Sequence, residues 1–247
     1  MSGHSKWSTI KRKKEKTDGQ RAKIFTKIGR EIAVAVRESG GDVNSNGKLR
    51  DLIAKAKANN VPNDNIDRII KKAIGDGDKN SYETIVYEGY GPCGVAVMVE
   101  TLTDNRNRTA GDVRHYFDKF GGNLGQSGCV SYMFNEQGVI IIDNNNISEE
   151  KIMEDCMECG ADDIKYSDED IEIITLPSEL RNVRESLEAK GYSFASAELE
   201  QIPTTFTQLS DEDSITKMER LLEYLEDNDD VQNVWHNWES DEEDDED

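Results

Sequence analysis

Apolar positions first settle into a rhythm between Arg21 and Glu38, where Ile24, Phe25, Ile28, Ile32, Ala35 and Val36 recur at three- and four-residue spacing. That is the period of a helix with one buried face. Gly40 and Gly41 end it. A second helical pattern, about Gly47 to Asn59, carries Leu49, Leu52, Ile53 and Ala56. A third follows "VPND", with Asp64 as its cap and Ile66, Ile69, Ile70 and Ile74 inward, and Gly75 closes the unit.

Beyond this point the period shortens to two. "TIVYEGYGPCGVAVMVETLTD" reads as a hairpin, Thr84 to Tyr90 and Val95 to Thr103, turning through Gly91 to Gly94. "NRNRTAGDVRHYFDKFGG" predicts a helix with Val113, Tyr116, Phe117 and Phe120 inward, and "CVSYMF", Cys129 to Phe134, predicts a strand. Residues 138–202 then alternate on their own: strand "GVIIID", helix Ser148 to Cys159, strand near Ile164, strand "IEIITL", helix Ser178 to Lys190, strand Phe194 to Gln201. This βαββαβ order is the split-βαβ, ferredoxin-like arrangement.

The chain continues with "TTFTQL", a helix from Asp213 to Glu226 carrying Ile215, Met218, Leu221, Leu222 and Leu225, and a strand "VQNVWHNW". These late elements need a sheet to join, and the ββαβ of residues 82–134 is the one available. The expected fold is therefore α+β: an N-terminal three-helix domain followed by two ferredoxin-like α+β domains, the third inserted into the second. By residue this gives a basic arm 1–17, a helical domain 18–78, a discontinuous middle domain 79–135 plus 203–238, an inserted domain 136–202 and an acidic tail 239–247.

Charge changes the picture more than composition does. The net charge of −21 hides a division: residues 1–75 hold 18 of the 30 Lys and Arg but 8 of the 51 Asp and Glu, so that segment is +10 and the remainder −31. Screening confines charge effects to about 8 Å at physiological salt, so the basic segment attracts a polyanion locally whatever the rest carries. No apolar run approaches the roughly 20 residues of a spanning helix, and Met1 to Lys14 lacks the apolar core of a secretory signal. Cys93, Cys129, Cys156 and Cys159 are too few for a disulfide scaffold. A cytoplasmic location without membrane contact is the expectation.

Candidate chemistry concentrates in the basic segment. Lys23, Lys27, Arg30 and Arg37 fall opposite the apolar stripe of the first helix, and Arg68, Lys71 and Lys72 lie away from the isoleucines of the third. Solvated helix faces often look like this. The arm tips the reading towards nucleic acid: His4, Lys6, Trp7, Lys11, Arg12, Lys13 and Lys14 form an unpatterned basic stretch suited to following phosphates, with Trp7 able to stack on a base or to staple onto the first helix. In "TDNRNRT", Arg106 and Arg108 stand at a helix start, where they either meet a phosphate or pair with local acids while Asn or Asp caps the helix. "CMEC", Cys156 to Cys159, invites a redox or zinc reading, but no second ligand pair exists and the motif falls inside an acidic helix, so buried apolar roles are expected. No cofactor or metal is expected. The tail is a solubility device or a competitor for the basic domain.

"GHSKWSTIKRKK", "FTKIGREI", "NNVPNDNIDRIIKKA", "YEGYGPCGVAVMVETLTDNRNRT" and "GGNLGQSGCVSYMF" resemble the YebC/PmpR family over nearly all of the chain. The resemblance implies three domains around a cavity and a role in gene expression without known catalysis. Family members are described as transcriptional regulators binding DNA, and some as translational activators at the ribosome. Cys93 stands where the family usually has Gly, Cys129 where it usually has Ser, and the tail is an addition.

The function expected is a non-enzymatic nucleic-acid-binding regulator of gene expression. Its partner is DNA, or ribosomal RNA or tRNA on the ribosome; a protein-interaction module ranks lower. No small-molecule substrate is expected, and a monomer is favoured.

Overall fold

The computed structural model describes residues 18–75 and 82–239, with side chains from Ala22 onward in the first segment. The chain divides into two compact units, residues 1–78 with 136–201 and residues 79–135 with 202–247.

Among the described residues, three helices open the first unit: α1 (Asp18–Ser39), α2 (Gly47–Ala58) and α3 (Asn63–Gly75). Ile28, Ile32, Ala35, Val36, Leu49, Ala56, Val61, Ile66 and Ala73 pack as their core. Asn46, 2% exposed, organises the first turn. Its side-chain oxygen accepts from Leu49 N–H at 3.0 Å, which caps α2, while its amide donates to the carbonyls of Ala35 and Gly40, both at 2.8 Å, which ties down the end of α1. Two details depart from the pattern. The Pro62 carbonyl accepts from Ile66 N–H, so α3 is entered before Asp64, which sits in its first turn rather than capping it. Ile74, expected inward, lies in the last turn and is 65% exposed.

The second unit begins with β1 (Glu83–Tyr90), β2 (Ala96–Thr103), α4 (Arg106–Lys119) and a short β3 (Asn123–Leu124). The chain then enters the insert, β4 (Phe134–Asp143), α5 (Glu149–Cys159), β5 (Asp163–Tyr166), β6 (Asp170–Thr175), α6 (Leu180–Ala189) and β7 (Ser196–Pro203). It returns through β8 (Thr207–Gln208), α7 (Glu212–Asp227), β9 (Val231–His236) and β10 (Trp238–Glu239).

The insert's sheet runs β5-β6-β4-β7, with β6 antiparallel to both β4 and β5. This is the ferredoxin-like order, and α5 and α6 cover one face: Ile140, Ile142, Ile171 and Ile173 meet Ile152, Cys156, Val183 and Leu187. The other sheet runs β3-β1-β2-β9, all neighbours antiparallel. Its spatial layout matches the insert's, but the strand between β2 and β3 arrives by the hairpin before β2. Val97, Val99, Val113, Phe117, Met218, Leu221, Leu225 and Val231 form the core beneath α4 and α7.

Cys129 to Phe134 is not a strand. The segment turns, passes through a 3-10 turn at Ser131–Met133, and joins a ladder only at Phe134, where β4 begins. The reason is Glu88 of β1, whose carboxylate accepts from the N–H groups of Gly128 at 2.7 Å, Val130 at 2.9 Å and Ser131 at 2.8 Å. Donors taken by one carboxylate are not free for a sheet.

Candidate nucleic-acid interface

On α3, Asp64, Asp67, Arg68, Lys71 and Lys72 follow one another at three- and four-residue spacing and line a shallow concavity. Ile66 and Ala73 point the other way, into the helical core. Arg68, Lys71 and Lys72 are exposed, and Arg68 Nη2 donates to Asn65 Oδ1 at 2.6 Å, which holds its guanidinium along the helix. Core packing on one face thus fixes three cations on the other, with two carboxylates interleaved. On α1, Lys23, Lys27 and Arg30 are half-buried, and each has a polar or electrostatic partner. The arm, with His4, Lys6, Trp7, Lys11, Arg12, Lys13 and Lys14, lies outside the described residues.

The other arginine pair belongs to the second unit. Asn105 caps α4, its side chain accepting from Arg108 N–H at 3.1 Å. Arg106 is exposed at the helix start, its carbonyl accepting from Tyr87 Oη at 3.5 Å. Arg108 is committed differently: Nη2 donates to Asp230 Oδ2 at 2.6 Å and Asp104 Oδ1 at 3.0 Å. Asp230 is 4% exposed and also accepts from the Thr109 hydroxyl at 2.8 Å and the Thr103 hydroxyl at 3.2 Å. These bonds, Asp230 first, hold the Arg108 guanidinium above its ordinary pKa. Arg108 therefore neutralises a buried carboxylate that fastens the start of α4 to the strand at Val231, while its side chain stays 48% exposed.

Two charged residues of evident importance carried no local signal. Glu88 is 7% exposed; burial pushes its carboxyl up, but the three backbone donors prevail and hold it below the ordinary range. Its donors lie 40 to 43 residues away. Lys55 on α2 sits between Glu31 at 3.3 Å and Glu198 at 3.2 Å. Burial opposes its charge, and the two carboxylates outweigh burial to raise its pKa.

Burial disfavours the thiolate form of the cysteine pair. Cys156 is 1% exposed in the insert's core with its thiol pushed up to about 12, chiefly by burial, and burial likewise raises Cys159. A thiol so shifted is almost entirely protonated at neutral pH, and nucleophilicity and metal binding need the thiolate. No helix among the described residues is long and apolar enough to cross a membrane.

Residues 5–76 match the model of the TACO1/YebC protein N-terminal domain, and residues 82–238 match that of the TACO1/YebC second and third domain. The chain belongs to the TACO1/YebC family. A probable transcriptional regulatory protein of Ruminiclostridium cellulolyticum is 61% identical over 228 residues, 92% of each chain. One from Acetivibrio thermocellus, with the same description, is 58% identical over 230 residues, 93% of this chain and 95% of its own. The crystal structure of a conserved hypothetical protein from Aquifex aeolicus superposes with a TM-score of 0.82 at 46% identity, covering 91% of this chain and 92% of that one. A TACO1/YebC chain thus has a helical N-terminal part and two sheet-bearing parts, as the α+β expectation had it.

Proposed function

We propose that this TACO1/YebC chain is a non-enzymatic regulator of gene expression that works by binding nucleic acid. The observation carrying this reading is α3, whose buried isoleucine and alanine fix Arg68, Lys71 and Lys72 on one exposed stripe of a segment with net charge +10. Spaced cations of this kind suit phosphates and fix register on a nucleic acid. Lys23, Lys27 and Arg30 add half-buried cations on α1, and the sequence from His4 to Lys14 adds further basic residues; separately, Arg106 is an exposed arginine at a helix start in the other unit. Arg108, beside it, is engaged through Nη2 by Asp230 and keeps a half-exposed side chain. The names borne by the relatives point the same way.

Target class separates two forms of the proposal. Base-edge readout in a DNA major groove asks for Arg, Asn or Gln projecting from a recognition helix. The α3 stripe is Lys and Arg interleaved with Asp64 and Asp67, and its one arginine is bonded to Asn65. That supports backbone contact, to duplex DNA in general or to structured RNA such as that of the ribosome, over reading a promoter sequence. Crosslinking in cells followed by sequencing of bound DNA and RNA is the test. Enrichment of promoter DNA supports a transcriptional regulator and enrichment of ribosomal RNA or tRNA a translational one. Recovery of neither overturns the nucleic-acid reading.

A further inference from the structure

The first unit joins a basic helical part to an acidic insert in which 18 Asp and Glu face 5 Lys and Arg across residues 136–201. Their apolar cores are separate: one draws on residues of the helices and their connections, the other on the insert. Among the described residues, ion pairs join them. Asp51 of α2 accepts from Arg181 Nη2 at 2.5 Å and from Arg184 Nη1 at 2.9 Å, both on α6. Arg50 lies 3.6 Å from Glu185 of α6, and Lys55 lies 3.2 Å from Glu198 of β7.

We infer that these pairs form an electrostatic clamp that holds the helical domain on the insert and that ionic strength opens. Three features distinguish it from an apolar domain contact. Arg181, Arg50 and Asp51 are 43%, 40% and 37% exposed at the side chain, so salt reaches them. Arg184, at 8%, is buried, and Lys55, at 21%, is largely so. The Arg184 Nε is also buried without a hydrogen-bond partner, so closing the clamp leaves a desolvated donor unsatisfied, and the closed state loses that much of its advantage. Raising salt from about 0.1 M to about 1 M shortens the screening length from about 10 Å to about 3 Å, which weakens exposed pairs while leaving apolar cores intact. The clamp stands on the geometry of α2, α6 and β7 and does not depend on what the helical domain binds.

Arginine footprinting of the full chain with phenylglyoxal, read by mass spectrometry, tests this at Arg184. At low salt Arg184 should react far more slowly than Arg220, which is 61% exposed. High salt, or Asp51→Asn at low salt, should speed its modification several-fold relative to Arg220, and the two changes together should add little to either alone. Amide exchange at Ile140 to Ile142 and Ile171 to Ile174 should stay slow throughout. Arg184 reactivity indifferent to both salt and Asp51→Asn would overturn the clamp. Loss of protection in β4 and β6 alongside the labelling would overturn it too, because the contact would then belong to the insert's own folding.

Discussion

Glu88 shows how much one side chain settles. It lies in "VYEGY" on β1, and its carboxylate holds the loop from Gly128 to Ser131 by three backbone bonds. Glu88→Gln keeps the shape but replaces one acceptor oxygen by an NH2 group facing donors, so it should destabilise the fold by about 1.5–3 kcal/mol. Because the folded-state pKa lies below the unfolded value near 4.3, this stabilisation is fully present above that value and is lost as pH falls through the folded one. Urea titrations at neutral pH should show the deficit, and the gap between variant and wild type should narrow in acid. A gap that stayed constant would mean the charge is not what matters. Cys93 is the converse case, an exposed residue whose cost is in the backbone. Its φ of 53° and ψ of 23° are left-handed, a conformation costing a non-glycine residue roughly 1–2 kcal/mol. Cys93→Gly recovers part of this, offset by greater freedom in the unfolded chain and by removal of the Sγ hydrogen bond to Ser214 at 3.3 Å. The urea midpoint should rise, by less than about 1 kcal/mol in stability, with the slope unchanged. Neither residue's role was legible beforehand, since one depends on partners about 40 residues away and the other on a turn geometry that "GPCG" suggests only in outline.

At the scale of elements, periodicity located the helices and long strands because each buries a single face. The stripe from Ile24 to Val36, the run Val139 to Ile142 and the heptad-like leucines of α7 are all in the cores where spacing placed them. The failures have local causes. "CVSYMF" has strand composition, but Glu88 takes the amide groups of Val130 and Ser131. Ile74 has a core residue's chemistry, but α3 ends one residue later and leaves it exposed. The partnership of strands distant in sequence was legible by elimination: β9 pairs with β2, Val97 opposite His236 and Val99 opposite Val234. This pairing makes a further expectation. Truncation after Pro203 removes β9 and α7, and with them Met218, Leu221, Leu222, Leu225 and Val231 from the core they share with Val97, Val99 and Phe117. Amide protection in β1 and β2 should collapse while β4 and β6 of the insert keep theirs; protection surviving in β2 would refute the shared core.

For the whole molecule the division of charge was the most informative thing in the sequence, and it underlies both the proposed site and the proposed clamp. A segment of +10 in a chain of −21 offers a polyanion a local surface. The same segment offers Arg50 and Lys55 to the insert's own carboxylates. Which cations face outward was legible from helical spacing on α3. The engagement of Arg108 was not, because Asp230 lies 122 residues along the chain. The central claim is that the α3 stripe binds phosphates. Its most direct test is the salt dependence of the full chain's affinity for a labelled nucleic acid, compared with Arg68→Ala, Lys71→Ala and Lys72→Ala combined. Every phosphate that the variant no longer neutralises should flatten the log–log slope by about 0.9 on duplex DNA or about 0.7 on a single strand, so the triple variant should bind more weakly with a slope shallower by about 2 to 3. An unchanged slope and affinity would contradict the account.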